Sequence, residues 1–302
     1  MQLNASSGFA MRPCDSAYPS LWQQMKFAMA TPVAGGRNAL DLSPSRFNGT
    51  PLGTSSSTLF GGMSPIGPCV GFLGNNALVW TAATWGLPVK FMTSSGSDKL
   101  TIQAYFKFTH SGSAKESTIF YSDVPTVGQP GRGYRLYVDN NADKLQLQIA
   151  NTPDEVTTFP CVYKTSALTA DKWYHAVFMF GEELHLFIYI GGTTCAAWID
   201  GDMELPTISG TEQYCTHVTS RNARIGATLG STAPDISVAQ VTIWNRWLLE
   251  RETQQLAIDP LAMFRRRRSL VGFAPLGRVT RNTRQTMNVR PGVGFQTMRG
   301  RN

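Results

Sequence analysis

The stretch WYHAVFMFGEELHLFIYI, residues 173–190, decides the fold. Both halves are dense in aromatic and branched apolar side chains, which suit a pleated, half-buried surface. Gly181-Glu182-Glu183 separates them, so the stretch reads as a hairpin of two strands, Trp173 to Phe180 and Leu184 to Ile190. Working outward, the same texture recurs about every 10 residues. Upstream lie Leu100 to Phe108, Ser117 to Ser122, Tyr134 to Val138 and Lys144 to Ile149. In the last of these, Leu145, Leu147 and Ile149 alternate with Gln146 and Gln148, the pattern of a strand buried on one face. Downstream, Cys195 to Ile199 runs into the turn Asp200-Gly201, followed by Ala223 to Gly226 and Ile236 to Trp244. No helical periodicity intervenes, which argues for an all-β antiparallel sandwich rather than a parallel sheet. One short helix is expected from Leu249 to Ala257, acidic in its first turn and stopped by Asp259-Pro260. Residues 1 to about 70 are rich in Gly, Pro, Ser and Asn and read as irregular, apart from a turn of amphipathic helix around Leu21 to Met29.

Charge divides the chain more sharply than hydropathy does. The net charge is +7, yet residues 265–302 carry ten arginines and no acid, so the preceding 264 residues hold 17 basic and 20 acidic groups. A basic arm follows a mildly acidic body, and such asymmetry points to an anionic partner. Three segments result: an irregular N-terminal arm (1–37), the sandwich (38–264) and an extended arginine-rich arm (265–302). The start of the chain has no basic region followed by an apolar stretch, and no run reaches the roughly 18 apolar residues of a membrane helix. The expectation is a soluble protein that lacks a signal peptide.

The strand motifs carry a resemblance. Trp173-Tyr174-His175-Ala176-Val177-Phe178, Trp198-Ile199-Asp200-Gly201, Arg224-Ile225-Gly226 and Ile236 to Arg246 follow one another as in laminin G-like and pentraxin-like domains. Leu40-Asp41-Leu42-Ser43 with Asn48-Gly49-Thr50 is similar to the opening motif of those domains, though without the usual His after Asn48. The chain thus resembles the concanavalin A-like lectin and glucanase superfamily over residues 38 to 260. That resemblance implies a two-sheet jelly roll that binds glycans, proteins or other surfaces. The flanks, Pro19-Ser20-Leu21-Trp22 and Asp259-Pro260-Leu261-Ala262-Met263-Phe264 before the arginines, resemble those of such proteins encoded in tailed-bacteriophage genomes. They imply a virion component, placed on the head or the tail and assembled in the host cytoplasm.

Candidate chemistry is sparse. Asp200, Asp202 and Glu204 alternate and resemble, in a different order, the carboxylate strand of glucanases sharing the fold. The Asp-Gly hairpin explains Asp200 equally, and no catalytic residue is assigned; the chain is expected not to be an enzyme. Calcium, which such domains bind at the sandwich rim, finds candidate oxygens at Asp139, Asn141 and Asp143, and a solvated turn explains the same residues. His175 and His185 read as one core and one solvent-facing position. The five cysteines have no CxxC spacing and read as isolated thiols, with a Cys161–Cys215 disulfide as the alternative. Among the tryptophans, Trp85 in Thr84-Trp85-Gly86 is the candidate for glycan stacking, whereas Trp244 reads as core. No cofactor is expected.

The arm holds the strongest candidate surface: Arg265, Arg266, Arg267, Arg268, Arg278, Arg281, Arg284 and Arg290. Nucleic acid would be met through phosphate contacts; a neighbouring protein would be met through paired carboxylates. The apolar residues interleaved with the arginines favour protein docking in a multi-copy assembly. The expectation is therefore a non-enzymatic virion protein anchored by its arm, with its jelly roll free for host glycans. A lectin not tied to a particle is the alternative, and a glycan hydrolase the less favoured one.

Overall fold

A computed structural model describes residues 10, 12–30, 41–44, 50–52, 59–74, 77–80, 99–109, 116–122, 133–139, 142–150, 161–180, 195–209, 223–226 and 233–267. The chain divides into two units, Met1–Arg267 and Arg268–Asn302, and the description covers the first.

Strand formation follows the alternation of apolar residues, and two antiparallel sheets result. The first has the order β13-β12-β11-β6-β16-β4-β3. Its members are β13 (Asp202–Glu204), β12 (Cys195–Ile199), β11 (Trp173–Phe180), β6 (Leu100–Phe108), β16 (Ala233–Trp244), β4 (Gly67–Gly74) and β3 (Leu59–Ser64). A further strand, β1 (Met25–Ala30), pairs with the second half of β16, whose first half pairs with β4. The second sheet has the order β14-β10-β9-β8-β7-β15-β5-β2. It is made of β14 (Thr207–Ser209), β10 (Cys161–Ala167), β9 (Lys144–Ala150), β8 (Gly133–Asp139), β7 (Glu116–Ser122), β15 (Ala223–Gly226), β5 (Ala77–Trp80) and β2 (Thr50–Leu52). The jelly-roll sandwich and the short helix α1 (Glu250–Ile258) are as expected. No helix among the described residues is long and apolar enough to cross a membrane.

Strand periodicity sends alternate residues to opposite sides. From the first sheet, Ile102, Ala104, Phe106, Ala176, Phe178, Val241 and Ile243 face the second sheet. They meet Phe120, Leu136, Val138, Leu145, Leu147 and Tyr163 there, and all of these are buried. A second apolar layer covers the other side of the first sheet. Val177, Met179, Ala196, Trp198 and Trp244 pack there under Leu21, Trp22, Leu256, Leu261 and Phe264. Trp22 meets Phe264 edge-on at 5.8 Å.

Two readings of the N-terminal region are corrected. Residues around Leu21 to Met29, read as a turn of helix within an irregular arm, form a 3₁₀ turn (Pro19–Trp22) and then β1. Side chains of β1 also alternate between layers: Phe27 and Met29 enter the inner core and Ala28 the outer cluster. Residues 59–74, Gly- and Pro-rich and read as irregular, form the β3–β4 hairpin at the sheet edge. The second strand of the opening stretch, Leu184 to Ile190, lies outside the described residues.

Candidate functional site

The motif Trp198-Ile199-Asp200-Gly201 builds one end of the first sheet. Asp200 and Gly201 both have positive φ, +52° and +99°, the backbone of a type I′ hairpin turn, and Ile199 pairs with Asp202 across it. Gly201 is required twice over. A Cβ there would be strained by the backbone and would sit 3.1 Å from Cβ of Ala257 on α1. The Asp200 carboxylate accepts from the His175 backbone N–H at 2.9 Å and from Lys172 Nζ at 3.0 Å. Glu204 Oε1 accepts from the Ser166 backbone N–H at 3.1 Å. These groups line an open cleft of about 350 Å³ with Lys172, Tyr174, Ile199, Asp202 and Met203. The structure therefore does bring the three sequence-nominated carboxylates to one cleft. Two of them hold backbone together, and Asp202 is exposed.

Behind the hairpin, His175 lies on the outer side of the first sheet beneath the C-terminal segment and is 2% exposed. Its Nε2 is 3.0 Å from Gln103 Nε2. The Gln103 amide also donates to the Pro260 carbonyl at 3.1 Å, and Gln240 donates to the same carbonyl at 2.8 Å. The Gln103 Nε2 amino group can only donate, so His175 Nε2 accepts and the proton of the neutral ring sits on Nδ1. Burial lowers the pKa of His175 to about 4, against the pull of Asp200. This histidine is a neutral core residue, which assigns one member of the pair that the sequence reading left unassigned; His185 lies outside the described residues.

The outer side of the second sheet is polar. Cross-strand register aligns Arg224 with Tyr121, Tyr121 with Arg135, and Arg135 with Gln148. In the adjacent row Thr118 pairs with Tyr137 and Tyr137 with Gln146. Arg135 stacks 4.0 Å over the Tyr137 ring. The Tyr137 hydroxyl donates to Gln146 Oε1 at 2.7 Å, and Gln146 Nε2 donates to Asp139 Oδ2 at 2.9 Å. Sequence reading missed this row. Its residues come from separate strands, and only their register makes them neighbours.

Residues 10–22 and 263–267 meet over the first sheet. Ala10 N–H donates to the Phe264 carbonyl, Ala17 N–H to that of Arg265, and Arg267 N–H to that of Asp15. Ser16 Oγ and Trp22 Nε1 both donate to the Met263 carbonyl, at 2.8 and 2.6 Å. Arg265 forms a two-point pair with Asp259, at 2.6 and 3.1 Å, within its own chain. Arg266 and Arg267 are exposed. Arg268, Arg278, Arg281, Arg284 and Arg290 lie outside the described residues.

Trp85 and Asn141 also lie outside them. Asp143 sits in the β8–β9 turn with φ +51°. Among the described residues no three His, Cys, Asp or Glu side chains converge as a metal site would require. Cys14 and Cys69 are free thiols; Cys215 falls outside the described residues. Trp198 and Trp247 are buried and Trp244 is core, its Nε1 donating to the Leu21 carbonyl at 2.7 Å.

Comparison with solved structures places this geometry among known sandwiches. The receptor-binding domain of botulinum neurotoxin D superposes with TM-score 0.54 at 9% identity, over 79% of this chain and 53% of that one. The serotype D ligand-binding domain in complex with N-acetylneuraminic acid gives 0.54 and 10%, over 80% and 52%. A Trypanosoma rangeli sialidase in complex with sialic acid gives 0.49 and 15%, over 78% and 33%. The chain thus spans about half of the toxin domains and a third of the sialidase. A search of curated protein sequences finds no match. A laminin G family model matches residues 86–254, and the chain belongs to the Concanavalin A-like lectin/glucanases superfamily.

Proposed function

We propose that this protein is a non-enzymatic, glycan-binding structural protein of a bacteriophage particle, decorating the head or associated with the tail and fastened by its arginine-rich arm. The observation that carries the reading is the difference between the two outer faces of the sandwich. The first sheet is clothed by the turn at Leu21 and Trp22 and by the segment from Leu248 to Phe264, which seal an apolar layer containing Trp22, Trp198 and Trp244. The second sheet presents a polar outer face on which Tyr121, Arg135, Gln148 and Lys164 are half-buried, while Thr118, Tyr137, Gln146 and Arg224 are buried. A module so divided can be held on one side and bind on the other.

Catalysis is not supported by the carboxylate geometry. Asp200 is neutralised by Lys172 and tied to backbone, and Glu204 is tied to Ser166. A hydrolase of the two-carboxylate kind needs one free nucleophile or base and one proton donor at the bond to be cleaved.

Two experiments test the reading. A glycan array probed with the full chain should give selective binding without release of reducing sugar; cleavage would refute the non-enzymatic part. Limited proteolysis should cut residues 268–302 in the isolated protein and spare them in the purified particle. Absence from particles, or equal cleavage in both, would leave the lectin and remove the virion role.

A further inference from the structure

Arg224 on β15 alternates with Ile225, which enters the sandwich core, so the arginine side chain belongs to the outer face of the second sheet. It is only 4% exposed. Its Nε has no hydrogen-bond partner, and no carboxylate forms an ion pair with it among the described residues. Burial pulls the pKa of this guanidinium down, while the neighbouring Tyr121 phenol acts in the opposite sense. The group nevertheless stays charged at physiological pH. A charge withdrawn from water with no counter-charge among the described residues is costly, and an anion supplied by a partner removes that cost.

The surroundings make this more than one stray arginine. Arg135 lies in the same row beyond Tyr121, two strands from Arg224 and thus about 10 Å away. Its guanidinium is stacked on Tyr137, which fixes the charge in place. Thr118, one row away and 1% exposed, also has a buried hydroxyl with no partner. Tyr121 and Arg135 are half-buried, so the row reaches solvent at their positions. Two guanidiniums flanking a phenol attract an anionic group, and the planar fork of arginine matches a carboxylate.

We infer that the row Arg224, Tyr121 and Arg135 binds the carboxylate of an acidic sugar. This deepens the glycan-binding reading and rests on it. The lectin surface would then be selective for glycans that carry a carboxylate on the ring.

The test compares methyl β-D-glucuronide with methyl β-D-glucoside on the full chain by titration calorimetry. The two differ only in a carboxylate against a hydroxymethyl group. The glucuronide should bind at least about ten-fold more tightly, in keeping with a charge-assisted contact. Arg224→Met should abolish that preference without lowering the thermal midpoint, because it removes an unpaired buried charge. If that variant does not fold, Arg224→Lys, which keeps the charge and loses the fork, should lose most of the preference. Equal affinity for both sugars, or a preference that survives in Arg224→Met, overturns the inference. Neutral glycans retained on an array with no acidic ones would do the same while sparing the glycan reading. Binding of no glycan at all would end both. A change of oligomeric state in Arg224→Met without a change in sugar binding would assign the guanidinium to a second protein chain instead.

Discussion

His175 shows how a buried core residue becomes a pH liability through its surroundings. Its folded-state pKa is about 4 against 6.5 in the open chain, because burial disfavours the imidazolium. Above about pH 6.5 both states are neutral and the group costs nothing. As pH falls toward 4, the unfolded chain takes up a proton that the folded one refuses, and stability drops by up to ~3 kcal/mol. Urea unfolding at pH 7.5, 5.5 and 4.5 should show this loss, and His175→Gln should flatten that part of the profile. An unchanged slope in the variant would show that other groups set it. The second residue-scale contact is Arg246 with Glu252, a two-point pair at 2.7 and 3.0 Å, in which Arg246 also donates to the Gln23, Ser20 and Trp247 carbonyls. Burial pushes the Glu252 carboxyl up, yet the Arg246 hydrogen bond and the Leu249 N–H outweigh it and hold the pKa below its ordinary value. Replacing Glu252 with Ala leaves a largely buried guanidinium short of its counter-charge and should cost about 3 kcal/mol in chemical denaturation. The motif around Arg246 was legible in sequence; that its arginine ties β16 to α1 and the N-terminal turn was not.

At the scale of elements, hairpins separate what pattern reveals from what it hides. The β12–β13 turn was legible because Asp-Gly supplies both positive φ values a two-residue turn requires. Gly201→Ala should destabilise by about 1–2 kcal/mol, through backbone strain and the approach to Ala257, with the thermal midpoint as the readout. β3 and β4 were illegible because Gly61-Gly62 and Gly67-Pro68 look like loop. Gly62 is nevertheless an edge-strand residue that faces Cys69 across the ladder, where a Cβ would lie 3.0 Å from Cys69 Sγ. Close backbone approach, rather than flexibility, explains that glycine. The motif Asp41-Leu42-Ser43 also gains a reason. Asp41 Oδ1 accepts from the Ala28 and Ser43 N–H groups at 3.0 and 2.8 Å, so a carboxylate fastens β1 to the segment that follows it.

At the scale of the molecule, residues 10–22 and 263–267 form a seam over the first sheet, and the seam supports its tryptophans. Phe264→Ala should cost about 3–5 kcal/mol, because it opens a cavity against Trp22 in a fully buried cluster. A chain ended at Arg267 keeps every contact described here and should melt within about 2 °C of the full chain, the shift of a sub-kilocalorie change. A chain ended at Leu249 loses Leu256, Leu261 and Phe264 and uncovers Trp198, Met179 and Trp244; it should elute as aggregate in size-exclusion chromatography. By itself the sequence determined the all-β class, the positions of half of the described strands, the helix with its stop at Asp259-Pro260, and the change of charge at the C-terminal arm. Each of these is written in local order: alternation, turn residues and charge density are properties of neighbours along the chain. Tertiary structure alone decided that β1 joins the first sheet, that residues 10–17 pair with 264–267, and that Arg224, Tyr121 and Arg135 form one row. Those facts depend on register between strands far apart in sequence, and register is set by which faces can be buried together, which no local window contains.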